Sequence, residues 1–145
     1  SCRNMSLESF SCVSNCSVGK ISLLNVCVSC ISPCLTCTGL QLTCTSCIPN
    51  LTPPRYLFGI SCQEKCPDYY YANNSNTQCS PCINNCLLCT SATTCQSCIQ
   101  NSYLYNVSCL TDCPSGLTGI GGLCQPCTAN CKTCSSGTNI CLTCV

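Results

Sequence analysis

The sequence predicts a small disulfide-rich fold: an elongated rod of tandem cysteine-rich repeats with short β-hairpins and almost no helix. Three observations carry that expectation. Cysteine fills 25 of the 145 positions. One eight-cysteine spacing recurs three times along the chain. No stretch sustains the apolar periodicity of a helix. A cysteine fraction this high marks a disulfide scaffold in an oxidising compartment, or a metal protein in a reducing one.

The first octet is Cys12, Cys16, Cys27, Cys30, Cys34, Cys37, Cys44 and Cys47. Cys62, Cys66, Cys79, Cys82, Cys86, Cys89, Cys95 and Cys98 form the second. The third is Cys109, Cys113, Cys124, Cys127, Cys131, Cys134, Cys141 and Cys144. Only the long loop and one short gap vary in length, which signals internal repetition. Repeats are expected at 12–61, 62–108 and 109–145, with 1–11 as the tail of a preceding unit. Cys2 is left over. Its setting, Ser1-Cys2, matches Ser46-Cys47, Ser97-Cys98 and Thr143-Cys144, so the chain reads as three periods of a longer array.

Within each repeat the long loop reads as a hairpin, with its turn at Asn73-Asn74-Ser75-Asn76 in one case and at Gly121-Gly122 in another. Leucine stands five residues before each opening cysteine, as Leu7, Leu57 and Leu104, and is expected to pack beside a bridge at each junction. Tyr56, Phe58, Tyr103 and Tyr105 surround two of these leucines and read as junction packing or as a binding stripe.

Dense C-x2-C spacing admits three chemistries. Zinc sites use such pairs, and nine occur here. Yet histidine is absent, and aliphatic or aromatic residues fill the gaps. Redox work needs one thiol with a depressed pKa, usually at a helix N-terminus beside a cation, and no helix is expected. A repeat of this size is too small to bury a self-sufficient core, and each disulfide contributes about 2–4 kcal/mol. Stapling is the expected role.

Compartment and partners follow from other residues. Asn4, Asn15, Asn50, Asn73 and Asn106 each begin an Asn-x-Ser/Thr acceptor; Asn50 is the weakest, because Pro53 follows its Thr52. Together with the cysteines they predict a secreted or cell-surface glycoprotein, with covalent N-linked sugar as its only non-protein group and 35 Ser or Thr residues available for O-linked sugar. A net charge of +1 gives no electrostatic case for nucleic acid or an anionic membrane. Mean hydropathy is +0.29, largely a cysteine effect, and no apolar run is long enough to span a bilayer.

Catalysis has little to stand on. Glu8, Glu64, Asp68 and Asp112 are the only acids, and no histidine can serve as a base. Glu64 and Asp68 lie close in sequence but read as solvated loop charges. An oxygen cage for calcium is equally poor. No catalytic residue and no metal ligand is expected.

The C-x3-C-P of Cys62–Pro67 and Cys109–Pro114, followed by C-x2-C-x3-C-x2-C, resembles the furin-like repeat, which also forms the cysteine-rich regions of growth-factor and insulin-type receptors. Similar arrays occur in surface proteins of protists, including ciliate surface antigens and Giardia variant surface proteins. The first repeat departs by having Ser17 where the others have proline. The resemblance implies a pairing that the residues alone leave open. Each closing cysteine joins the next opening one: Cys2–Cys12, Cys47–Cys62 and Cys98–Cys109. The second cysteine closes the hairpin: Cys16–Cys27, Cys66–Cys79 and Cys113–Cys124. The remaining four interleave, as Cys30–Cys37 with Cys34–Cys44, Cys82–Cys89 with Cys86–Cys95, and Cys127–Cys134 with Cys131–Cys141. Cys144 is then unpaired within the chain, bridging to another subunit or to further sequence.

Two functions follow as expectations. One is a structural section of a coat, stalk or filament that associates with neighbouring copies or repeats. The other is a receptor or adhesion ectodomain, acting as spacer or binding module, with the Tyr69-Tyr70-Tyr71 tip as the candidate contact.

Overall fold

A computed structural model describes residues 2–39, 43–135 and 140–144. They contain eighteen short strands and no helix. Six strands make one motif, and the motif occurs three times. In the first repeat β1 (Ser6–Glu8) and β2 (Ser11–Val13) form one hairpin. β3 (Lys20–Leu23) and β4 (Val26–Ser29) form a second, and β5 (Cys34–Thr38) and β6 (Thr43–Cys47) a third. The second repeat has β7 (Tyr56–Phe58), β8 (Ser61–Gln63), β9 (Tyr70–Asn73), β10 (Gln78–Pro81), β11 (Cys86–Ser91) and β12 (Thr94–Cys98). The third has β13 (Tyr103–Tyr105), β14 (Ser108–Leu110), β15 (Leu117–Ile120), β16 (Leu123–Pro126), β17 (Cys131–Cys134) and β18 (Cys141–Cys144).

The first two hairpins of each motif join into a four-stranded sheet of order β2-β1-β4-β3, repeated as β8-β7-β10-β9 and β14-β13-β16-β15. The third hairpin stands as its own two-stranded sheet. Contacts group the chain into two compact units, 1–66 with 72–79 and 67–71 with 80–145, so the division falls within the β9–β10 hairpin.

One hydrogen bond docks the two hairpins of every four-stranded sheet. The amides of Leu7, Leu57 and Leu104 donate to the carbonyls of Asn25, Thr77 and Gly122, at 2.8, 2.8 and 2.7 Å. All three acceptors have positive φ (62°, 53° and 81°), which turns the carbonyl at the hairpin tip towards the neighbouring strand. The leucine register thus begins with a backbone contact. Its side chains do the packing at two junctions: Leu57 lies against Cys34, Cys37 and Cys44, and Leu104 against Cys86, Cys95 and Cys109.

The hairpin expected in each long loop is present, with turns at 74–77 and at Gly121-Gly122. Asn73 closes β9, and its Oδ1 accepts the Ser75 amide at 3.0 Å. Two further hairpins per repeat were not expected. Their sequences explain why. β1 and β2 are three residues each, and the β5–β6, β11–β12 and β17–β18 ladders carry register shifts that break the alternation of a strand.

Matched positions in the three motifs hold matched pairs. Ser6 faces Ser22, and their hydroxyls share a hydrogen bond. The same two positions hold Tyr56 and Ala72 in the second repeat, Tyr103 and Gly119 in the third. A β-carbon placed on Gly119 would fall inside the Tyr103 ring. In the second and third repeats a large residue thus stands opposite a small one, whereas the first pairs two small hydroxyls. Thr36 Oγ1 bonds Ser46 Oγ at 2.5 Å and Thr133 Oγ1 bonds Thr143 Oγ1 at 2.5 Å, whereas Leu88 takes the threonine position of the second repeat. Ser97 Oγ, opposite Leu88, is accordingly buried without a partner.

Gly119→Ser should therefore lower stability by about 1–3 kcal/mol through overpacking. Adding Tyr103→Ser recreates the Ser6–Ser22 pair and should regain part of that loss. Denaturant unfolding of the two variants without reductant reads both effects.

Candidate functional site

Twelve disulfides join the cysteines, and they are the twelve pairs named above. Their Cα–Cα separations run from 5.3 to 5.8 Å, inside the range a disulfide spans. Cys144 carries a free, exposed thiol. The bridges also make the interior. Among the described residues, Tyr56 is the only buried apolar side chain besides eight cysteines: Cys34, Cys37, Cys44, Cys47, Cys86, Cys95, Cys109 and Cys131.

The strands place these sulfurs. β5 and β6 set Cys34 opposite Cys47 and Cys37 opposite Cys44, but the bonds run diagonally, Cys34–Cys44 and Cys30–Cys37. Cys47 is thereby left facing forward, towards Cys62 on β8. The Cys44 amide donates to the Ile60 carbonyl at 2.9 Å, and the Cys95 amide to the Val107 carbonyl at 2.8 Å, so a backbone bond accompanies the bridge at both junctions. Cys95 Sγ lies 3.2 Å from Cys109 Sγ. This trio of close sulfurs, Cys86, Cys95 and Cys109, resembles a metal-ligand set in distance alone. Each sulfur is already bonded to another, and the thiolate a zinc ion requires exists only after reduction.

Acidic residues are dispersed. Glu64 pairs with Arg55 at 2.7 Å. Glu8 accepts from Lys20 Nζ at 2.6 Å and from the Ser17 amide at 3.0 Å. The Lys20 bond first, then the Ser17 amide, hold the Glu8 carboxyl down at about 2, against an ordinary 4.5, although its side chain is only 9% exposed. This cluster explains the departure at Ser17. Proline has no amide hydrogen. Where the other repeats have Pro67 and Pro114, the residues matching Glu8 are Phe58 and Tyr105, which need no donor. Those two columns of the repeats depart together, but the contact between them is seen only in the fold.

The tyrosine run is placed differently from its expected position. Tyr70 and Tyr71 begin β9 and Tyr69 precedes it, so all three stand at the base of the hairpin, while 74–77 form the tip. Tyr56 is buried and its hydroxyl donates to Asn74 Oδ1 at 2.6 Å. Tyr103 packs over Gly119. Buried Tyr56 cannot belong to an exposed stripe, Phe58 and Tyr103 are half-buried, and Tyr105 remains at the surface. Of the glycan acceptors, Asn4, Asn15, Asn50 and Asn106 are exposed and Asn73 is half-buried. A cavity of about 510 Å³ opens between Leu7, Phe10, Leu24, Val26 and the Cys2–Cys12 bridge, with Phe10 fully exposed and Leu24 92% exposed.

No protein-family model matches the chain. Furin-like protease 2 of Drosophila melanogaster is 40% identical over 47 residues, 32% of this chain and 3% of that protein. Cysteine repeat modular protein 1 of Tetrahymena thermophila is 40% identical over 53 residues, 35% of this chain and 2% of that protein. The matched stretches and the twelve disulfides are consistent with a furin-like cysteine-rich repeat. The chain spans only these few per cent of the two relatives' lengths. Twelve disulfides on such a framework fit an extracellular repeat module. Among the described residues no helix is long and apolar enough to cross a membrane.

Two outcomes test the framework. Cys47→Ser with Cys62→Ser should lose more stability than Cys2→Ser with Cys12→Ser in thermal unfolding, beyond the ~0.4 kcal/mol by which their separations of 15 and 10 differ in closure entropy. The excess reports the burial of Cys47. Glu8, with its carboxyl held below the unfolded value, contributes stability that is present above pH 4.5 and lost as pH falls through about 2. Glu8→Gln should remove that slope, and Ser17→Pro should move the Glu8 titration, followed by carboxyl NMR, upward.

Proposed function

We propose that these furin-like repeats form a structural stretch of an extracellular or cell-surface glycoprotein, one section of a coat, stalk or filament. The observation that carries this reading is the forward-facing closing cysteine. Cys47 and Cys98 each bond the next repeat instead of their own, so neighbouring repeats are covalently continuous. Sugars on Asn4, Asn15, Asn50, Asn73 and Asn106 supply solubility and protease shielding. With four acids and no histidine the role is non-catalytic.

Self-association belongs to the same reading. The Phe10 face is the counterpart of the Ile60 and Val107 faces, whose carbonyls take an amide from a closing hairpin. The Phe10 face fits a closing hairpin of the same kind, from a further repeat or a neighbouring copy, as the Ile60 and Val107 faces do. Low charge leaves little long-range repulsion between copies.

A receptor or adhesion module is the second reading. One observation favours it: the second repeat alone presents Tyr69, half-exposed, at a position where the others have glycine.

Electron microscopy and sedimentation of native material test the first reading. Chains of copies that Phe10→Asp with Leu24→Asp disperses, and a mass that N-glycosidase reduces, are expected. Isolated monomers, unaltered by the substitutions and free of sugar, would overturn it.

A further inference from the structure

Tyr69 stands where the fold asks for glycine. In each repeat a four-residue turn follows the second cysteine. The amides of Lys20, Tyr70 and Leu117 close it by donating to the carbonyls of Ser17, Pro67 and Pro114, at 3.1, 3.1 and 2.9 Å. Its third residue takes positive φ: Gly19 at 84°, Gly116 at 84° and Tyr69 at 71°. A turn of this kind favours glycine there, since only glycine adopts the conformation without strain. The backbone has no freedom to relax. The carbonyls of Gly19, Tyr69 and Gly116 each accept the amide of Cys30, Cys82 and Cys127, at 2.8, 2.8 and 2.9 Å.

Packing does not call for the ring. A β-carbon on Gly116 would meet nothing within 4 Å, and one on Gly19 only the Leu35 carbonyl oxygen at 3.7 Å. A side chain at this position leaves towards open space, and Tyr69 is 53% exposed. A bulky residue strained in the left-handed region, and half in water, points to a function for its exposed surface.

That surface walls a cavity of about 240 Å³, shared with Tyr70, Ile83, Asn84, Asn85 and Ile99. The volume lies below the ~300–1,000 Å³ of pockets for drug-sized ligands and suits a single ring. No charged side chain lines it, so an ionic ligand would find no counter-charge. An aromatic face, two isoleucines and two exposed side-chain amides match a pyranose. The axial C–H bonds of such a sugar lie on the ring, whose face carries negative charge density, and its hydroxyl or acetamido groups reach the amides.

We propose that the Tyr69 cavity binds one neutral sugar ring, a hexose or N-acetylhexosamine, supplied by a free saccharide or by a protein-linked glycan. The association of copies can fail while this binding holds, and the reverse.

The test is an NMR titration of the full disulfide-bonded chain after N-glycosidase treatment, with methyl β-N-acetylglucosaminide and methyl α-mannoside as probes. Expected are saturable shifts confined to Tyr69, Ile83, Asn84, Asn85 and Ile99. Tyr69→Phe should retain them. Tyr69→Gly, the residue of the other repeats, should abolish them while raising the thermal midpoint. A parallel arm with an asparagine-linked oligomannose glycopeptide separates the sources. Saturation at lower concentration than the monosaccharides assigns the site to glycoprotein glycans, and equal saturation to free sugar. Absence of saturable shifts with every probe, or unchanged binding by Tyr69→Gly, would overturn the proposal. So would a lowered midpoint of Tyr69→Gly, which makes the ring a packing element.

Discussion

Sulfur bonded to sulfur is the constraint on which everything else in this chain depends. In an ordinary domain apolar side chains leave water together, and their burial offsets the entropy of ordering the backbone. Among the described residues, eight of the nine buried apolar ones are cysteines, and the leucines and isoleucines near them are only partly covered. The bridges act twice. They restrict the unfolded chain, and they are the interior of the folded one. A strand of three residues, such as β1 or β13, could not persist on its own backbone bonds. It persists because a bridge a few residues away fixes its neighbour.

With the backbone circuit fixed by sulfur, side chains at matched positions are free to vary as sets. Ser6 with Ser22, Tyr56 with Ala72 and Tyr103 with Gly119 occupy the same two positions with different chemistry, a hydroxyl pair in the first and a ring over a small residue in the others. Glu8, Ser17 and Lys20 form a charged cluster where the other repeats place aromatic, proline and apolar residues. Leu88 opposite Ser97 is a set left incomplete, and it leaves a buried hydroxyl unpaired, which costs stability in proportion to its lost hydration. The repeats are alike in their bonds and individual in what lies between them.

Much of this was legible in the sequence, for a physical reason: cysteine spacing is the structural code when cysteine is the core. Counting yielded the repeats, the absence of helix and the stapling role. The pairing was not in the spacing, and came from the resemblance to furin-like repeats. The two additional hairpins were hidden because three-residue strands and bulged C-x2-C ladders do not alternate. Tyr69-Tyr70-Tyr71 was misplaced to the hairpin tip, since a hydrophobic run says nothing about where a turn begins. Aligning Tyr69 with Gly19 and Gly116 would have revealed the turn. The bonds at Glu8 required knowing that Ser17 and Lys20 return to it across a hairpin.

The diagonal wiring of each closing hairpin also bears on how such a protein can change length. Because Cys34 takes Cys44 and Cys30 takes Cys37, Cys47 is released to the next repeat, and the same wiring releases Cys98 to Cys109. Every joint is therefore the same joint. Insertion or loss of one whole period preserves the matching of the sulfurs, whereas a fractional change breaks it. Growth by duplication is then mechanically neutral, and the reach of such a molecule can be set simply by how many periods its gene contains.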